Sequence, residues 1–456
     1  MKLFVKRFFV IVCAFALSLP LLWSEPNQNE IQGYTDSFLN QLQEFLEQGN
    51  LQGALNLCEE VPSEYVGTYT ISFIYSSLLF SAGQYPAAEQ LGSTLLTQYP
   101  SDVDVLYLNS MIAKMLNNVS KRKTLLNKIL EIAPSNPDAN GELGNDSLLA
   151  KNYNQAYMYF AKGLSENPYH IDCLFGYGQS AYYLNKLSDS KNAFKRIVNI
   201  DSENAMAWSY LGKVEAETSQ YTAAIECALK ALEIEPNYYN YWIEYGNYLR
   251  FISKNEESIQ AYGKAIEIDS SYFLAYVYRA GLYDADDKRE AALADYQQAI
   301  RCNPEYYFAY EAIGIFAWGE GKWEESRKAF EKAYEITPNN ISYPLMISAC
   351  YQKENKKQEN KLFMTKVLKT LDKNSLNYAV ARMYMEGIGD GPVLQKVVNE
   401  TNKTTKGKML YYMALFYELK GNDVLANKYY IEIQEMKSPM FFEYRLNDWA
   451  LENKTR

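Results

Sequence analysis

Residues 230–242 read KALEIEPNYYNYW; 34 residues later 264–276 read KAIEIDSSYFLAY, and 34 after that 298–310 read QAIRCNPEYYFAY. A pattern that returns at a fixed interval of this size marks a module stacked on copies of itself, because each unit lacks a core of its own. Aligned on that stretch, turn residues fall at Pro100, Pro134, Pro168, Ser202, Pro236, Ser270, Pro304 and Pro338. Proline or serine there suits a helix that stops just before and another that starts just after. Within each unit, two apolar patterns at helical spacing flank a short polar turn such as SAGQY (81–85), LAKNY (149–153), ETSQY (217–221) or GEGKW (319–323). Each unit therefore reads as a helical hairpin.

Small residues recur at two places. One helix carries Gly144, Gly178, Gly212, Gly246, Ala280 and Gly314, the other Ala156, Ser190, Ala224, Ser258, Ala292 and Ser326. Glycine inside a helix costs about 1 kcal/mol relative to alanine, so its repetition at one register needs a reason. Close approach of the two helices supplies it. Large rings then fill the space beside the contact: Phe160, Phe194, Tyr262, Tyr296 and Phe330 on the second helix, Trp208, Trp242, Tyr276 and Tyr310 on the first. Much of the tyrosine content, 41 residues, is explained as packing.

On these residues the chain resembles the tetratricopeptide repeat family, whose pattern sets an aromatic at position 4, Leu-Gly at 7 and 8, and small residues at 20 and 27 before a proline at 32. Trp208, Leu211, Gly212, Ala224, Ala231 and Pro236 fill those places, while Glu215 and Ala228 depart from the aromatic preference at 11 and 24. Units beginning at Pro137, Ile171, Ala205, Tyr239, Phe273 and Tyr307 match well; those near 35, 70, 103, 341 and 407 match weakly, and 375–406 is a degenerate helical stretch. The resemblance implies an all-α, right-handed α-solenoid of tandem hairpins. The expected organisation is a signal peptide over 1–24, a polar linker over 25–34, degenerate N-terminal repeats over 35–134 and six well-matched repeats over 137–340. Degenerate C-terminal repeats over 341–438 and a capping helix over 439–456 follow. Phe442, Leu446, Trp449 and Ala450 share one face of that last helix.

In the family, positions 2, 5, 9, 12 and 13 of each unit line a concave groove that binds extended peptides. Position 9 reads Asn145, Gln179, Lys213, Asn247, Gly281 and Ile315, so four successive units offer an amide or ammonium group able to hydrogen-bond a peptide. Arg250, Phe175, Tyr182 and Phe251 complete the candidate groove. Solvation of an exposed face explains the same polarity and is the competing account. Lys213, Asn247 and Arg250 only approximate the carboxylate clamp of chaperone-binding relatives, so that specificity is not expected.

The rest of the sequence argues against other functions. A net charge of −10 gives no field to hold nucleic acid. The single histidine, His170, sits in an inter-repeat turn and cannot build a multi-histidine metal site. Cys58, Cys173, Cys227, Cys302 and Cys350 are scattered, without a CxxC pair, and read as small buried hydrophobes. The glycines of GIGDG (387–391) read as an inter-helix turn, and the seven lysines against three acidic residues across 353–373 as a solvated face. No nucleophile, base and orienting residue assemble by spacing, so neither catalysis nor a cofactor or metal is expected. Lys2, Lys6 and Arg7 precede an apolar run to Trp23 and then a polar stretch, the order of a secretory signal peptide cleaved after Ser24. An uncleaved membrane anchor and a lipid-attachment box at Cys13 are the alternatives, and membrane contact is expected only if the segment stays. The resulting expectation is an exported, periplasmic or secreted, non-catalytic scaffold for protein or peptide partners. A cell-envelope assembly or enzyme-accessory factor is the alternative, and an enzyme the alternative from another class.

Overall fold

The computed structural model describes residues 28–388 and 390–455. The signal peptide read over 1–24 lies outside them. The described residues form 25 α-helices and no strand, the all-α class expected. The chain divides into two compact units, 1–234 and 235–456. In the first, α1 (Gln28–Glu47) and α2 (Leu51–Glu59) precede five hairpins: α3 (Tyr69–Ser81) with α4 (Tyr85–Gln98), α5 (Val103–Met115) with α6 (Val119–Ile132), α7 (Pro137–Leu149) with α8 (Tyr153–Glu166), α9 (Ile171–Tyr183) with α10 (Leu187–Ile200), and α11 (Ala205–Glu217) with α12 (Tyr221–Ile234).

The second unit opens with three hairpins: α13 (Tyr239–Phe251) with α14 (Asn255–Ile268), α15 (Phe273–Ala285) with α16 (Arg289–Cys302), and α17 (Tyr307–Gly319) with α18 (Trp323–Ile336). After them come α19 (Ser342–Lys353), α20 (Lys357–Thr370), α21 (Leu376–Glu386), α22 (Asp390–Val398), α23 (Lys403–Leu419), α24 (Asp423–Glu435) and α25 (Phe442–Thr455). Within each unit, consecutive hairpins stack as in an α-solenoid.

Six helix starts in the first unit are set by side chains that accept from the third amide of their helix: Asp102, Asn118, Asn136, Asn152, His170 and Asn204 do so, each satisfying a donor that the helix cannot. Inside each hairpin the chain turns through one left-handed residue. In the first unit these are Gly83, Asn117, Lys151, Asn185 and Ser219; in the second, Ser253, Asp287 and Gly321, and Asn355 holds the same place between α19 and α20, with φ from 56° to 77° across the set. They lie 34 residues apart, so the interval is written in the backbone as well as in the side chains.

Close packing explains the small residues. A Cβ on Gly144 would lie 2.7 Å from the Phe160 ring; on Gly178, 2.8 Å from Phe194; on Gly246, 2.6 Å from Tyr262; on Gly314, 3.0 Å from Phe330. Each ring is fully buried. The small residue of the second helix then closes the contact where it is serine: Ser190 donates to the Gly178 carbonyl at 2.8 Å, Ser258 to Gly246 at 2.7 Å and Ser326 to Gly314 at 2.8 Å. The same register survives in a hairpin whose sequence matches weakly. There the roles reverse, and Ser76 on α3 donates to the Ala88 carbonyl on α4 at 3.1 Å. The position-4 aromatics do a second job that the pattern did not reveal: the indoles of Trp208 and Trp242 donate to the carbonyls of Ser202 and Pro236, both at 2.9 Å. They thereby tie each first helix to the turn before it.

One hairpin breaks the rule. Arg122 occupies the slot held by Ala88 and Ala156 in the neighbouring units, yet is buried. Its guanidinium donates to Glu142 and Asp146 on α7, both at 2.6 Å, and Lys114 also reaches Glu142 at 2.7 Å. The cysteines are free, and four are buried as expected. Cys302 is the exception, exposed at the end of α16. His170 caps α9 and lies 3.3 Å from Asp138 through its other ring nitrogen.

Candidate functional site

In the N-terminal unit the candidate groove residues lie on α7, α9 and α11, the first helices of three consecutive hairpins. Asn145 is exposed on α7. Gln179 on α9 donates to the hydroxyl of Tyr210 on α11 at 2.9 Å, and the Lys213 ammonium stands 4.6 Å from the centre of the same ring. Phe175 meets Tyr210 edge to face, centroids 5.4 Å apart, and meets Phe194 in the same manner. One turn along, the Tyr182 hydroxyl donates to Glu217 at 3.0 Å. Burial first, and then the Glu217 carboxylate, hold the Tyr182 phenol above its ordinary range, so it stays a donor.

The residue that gathers these groups, Tyr210, was not among the sequence candidates. It follows Gly176 of the preceding unit by 34 residues, so no repeated residue type marks its position. The resulting surface has amide, ammonium and hydroxyl groups over aromatic rings, a combination suited to a peptide backbone with an acidic or aromatic side chain.

In the C-terminal unit the remaining candidates behave differently. Asn247 accepts from the hydroxyl of Tyr262 at 2.8 Å, and Tyr262 is fully buried. Position 9 therefore takes part in hairpin packing here. Arg250 and Phe251 are exposed at the end of α13, the guanidinium 5.3 Å from the ring centre.

Farther along the same unit, α25 lies against positions that the family resemblance assigns to its groove. That helix packs on α23 and α24, and it also reaches back to earlier hairpins. Arg445 makes two hydrogen bonds, both 2.6 Å, to the carboxylate of Asp284 at position 12 of its repeat. The Trp449 ring would lie 2.7 Å from a Cβ on Gly319, at position 13. Phe442 stacks near Phe330 and Tyr343, with centroids 5.9 and 6.4 Å away. Below it Glu443, wholly buried, accepts from Tyr412 at 2.9 Å, and Tyr343 donates to Glu311, position 5 of its repeat, at 2.7 Å. Burial pushes both carboxyls above the usual carboxylate range. Beside α25, a cavity of about 390 Å³ is walled by Trp318, Trp323, Tyr411, Leu446 and Trp449. At its polar edge Lys353 and Tyr430 both bind Glu418, at 3.0 and 2.9 Å.

Burial pushes the thiols of Cys58, Cys227 and Cys350 up to about 12, where the thiolate is scarce. No cluster of three or more His, Cys, Asp or Glu suited to a metal occurs among the described residues. None of the described helices is long and apolar enough to cross a membrane.

Comparison with known proteins gives a consistent picture. Tetratricopeptide repeat models match residues 177–239 and 279–341, and a further one matches 239–272. The tetratricopeptide repeat-containing protein trd-1 of Caenorhabditis elegans is 25% identical over 181 residues, 40% of this chain and 23% of that relative. A DnaJ homolog subfamily C member 7 homolog of Dictyostelium discoideum is 23% identical over 203 residues, 41% of this chain and 38% of that relative. The chain thus spans well under half the length of either. Among solved structures, MamA is 20% identical, covering 35% of this chain and 94% of its own, with a TM-score of 0.34. Pseudomonas aeruginosa PilF is 19% identical, covering 44% and 92%, with a TM-score of 0.39. YrrB, described as a tetratricopeptide protein with an unusual peptide-binding site, is 19% identical, covering 41% and 96%, with a TM-score of 0.36.

Proposed function

We propose, from the premise that the chain is a tetratricopeptide repeat protein, that it is an exported scaffold without catalysis of its own, and that α9 and α11 hold an extended segment of a protein partner. The carrying observation is the convergence of Gln179 and Lys213, from successive repeats, on Tyr210. Two repeats that share one aromatic platform present a continuous strip of donors, which suits a peptide laid across them. Lys213 favours an acidic group, and Phe175 and Tyr182 offer ring faces and edges beside it. Export rests on the basic residues, apolar run and polar stretch of the first 24 residues.

The test is a capture experiment in parallel. Mature chain, a Gln179→Ala/Lys213→Ala variant and a Lys230→Ala/Glu233→Ala control are each used to capture proteins from the host's cell envelope. The control removes an ion pair that lies on the exposed side of α12. A partner retained by wild type and control but lost by the first variant supports the peptide strip. Identical captures from all three reduce Gln179 and Lys213 to surface solvation. N-terminal sequencing of protein from the host should begin close to Glu25; recovery of Met1 in the cytosol ends the export reading.

A further inference from the structure

Phe442, Arg445, Leu446 and Trp449 lie at i, i+3, i+4 and i+7 of α25, the spacing with which an amphipathic helix anchors itself in a groove. Two of their partners, Asp284 on α15 and Gly319 on α17, hold positions 12 and 13 of successive repeats, which the family resemblance assigns to the groove. The helix is thus seated the way a ligand would be. Its seating is also imperfect. One carboxylate oxygen of Glu443 and both amide atoms of Asn447 make no well-formed hydrogen bond within the protein, although both residues are wholly buried. Each such group carries a desolvation penalty that is poorly offset. The 390 Å³ cavity borders the same helix through Leu446 and Trp449, so the protein does not cover that part of its apolar face. A helix with good anchors and costly remaining contacts is one whose docked state can be exchanged.

We propose that the concave face of the C-terminal unit is a helix-binding groove, held in cis by residues 442–455 and opened to a partner's amphipathic helix bearing the same aromatic, arginine and tryptophan face. The chemistry of the groove defines that partner. Asp284 accepts a bidentate guanidinium, which lysine cannot supply. Gly319 and the rings of Trp318 and Trp323 leave room for an indole. This groove is separate from the strip on α9 and α11, so the failure of one reading leaves the other standing.

The experiment uses the full chain and a fluorescein-labelled synthetic peptide of residues 439–456. Fluorescence polarisation should show weak binding to wild type, whose groove is filled, and binding about 100-fold tighter to an Arg445→Glu/Trp449→Ala variant, in line with the loss of two anchor residues and of a tethered competitor. Adding Asp284→Lys to that variant should abolish the gain, and a peptide with glutamate at its Arg445 position should restore it. Equal affinity for wild type and the double variant, both folded by circular dichroism, overturns the proposal. Should the variant not fold, hydrogen exchange on the unmodified chain decides: amides of 442–455 opening well before those of 403–419 supports exchange. Opening at the same free energy makes α25 a permanent part of the unit and overturns it.

Discussion

The hairpin α9–α10 and the helices α19 and α23 bury their residues in opposite ways. In α9 the buried set is Cys173, Leu174, Gly176, Gly178, Ser180 and Ala181, mostly small, while Phe175, Tyr177 and Gln179 stay half exposed. In α19 every residue from Ser342 to Cys350 is buried, and in α23 every residue from Met409 to Tyr417. A helix buried on one side keeps a working surface; a helix buried all round has given it up to its own chain. The difference leaves α9 partly exposed and buries α19 and α23 within their own chain.

The sharpest way to break this contrast is to remove the ring on which the regular hairpin closes. Phe194→Ala should cost about 3–5 kcal/mol, read by urea unfolding, because the side chain is fully buried against Gly178. A cost below 1 kcal/mol would mean that the hairpin does not depend on its ring. Filling the glycine slot instead, Gly178→Leu overpacks the same contact and should cost about 1–3 kcal/mol. In thermal melts both variants should fall below wild type.

A third measurement separates the two kinds of burial by pH. The Glu443 carboxyl is held above its ordinary range by burial, with the nearby Glu311 facing it and Lys408 and Tyr412 opposing that shift. A raised folded value means stability that is full below the ordinary carboxylate range, near pH 4, and lost as pH rises through the folded value. Melting should therefore fall from about pH 4 to pH 8 more steeply in wild type than in Glu443→Gln, with Glu311 leaving part of the slope. Parallel profiles would show that Glu443 is ionised when buried. The smallest effect is expected for Ser190→Ala, which deletes the bond to the Gly178 carbonyl and should cost about 0.5–1.5 kcal/mol. Ala156 and Ala224 fill that slot in neighbouring units, so a larger loss would show that the serine has a role beyond this bond.

The hairpins were legible because their determinants repeat. Gly144, Gly178, Gly246 and Gly314 face Phe160, Phe194, Tyr262 and Phe330 in the structure as the 34-residue alignment pairs them. Local periodicity also exposed the apolar face of α25, through Phe442, Leu446, Trp449 and Ala450. What that face would meet was not legible. Arg445 and Asp284 are separated by 161 residues, and a contact made once, between a helix and a distant repeat, leaves no period to read. Tyr210 was missed for the same reason, and Asn247 was expected to stand clear of packing because the pairing with Tyr262 uses a hydroxyl that the repeat pattern does not distinguish from a phenylalanine edge.

Arg122 carries a consequence for how such a chain can be edited. Hairpins closed by a ring on glycine meet the next hairpin largely through rings and partly exposed polar groups, so one of them can in principle be duplicated or excised as a cassette with less loss of meaning at the seam. The hairpin of α5 and α6 cannot. Its buried guanidinium is neutralised by Glu142 and Asp146 on the following helix, so the two modules are inherited together or not at all. A single side chain in a slot meant for alanine turns two interchangeable bricks into one indivisible block.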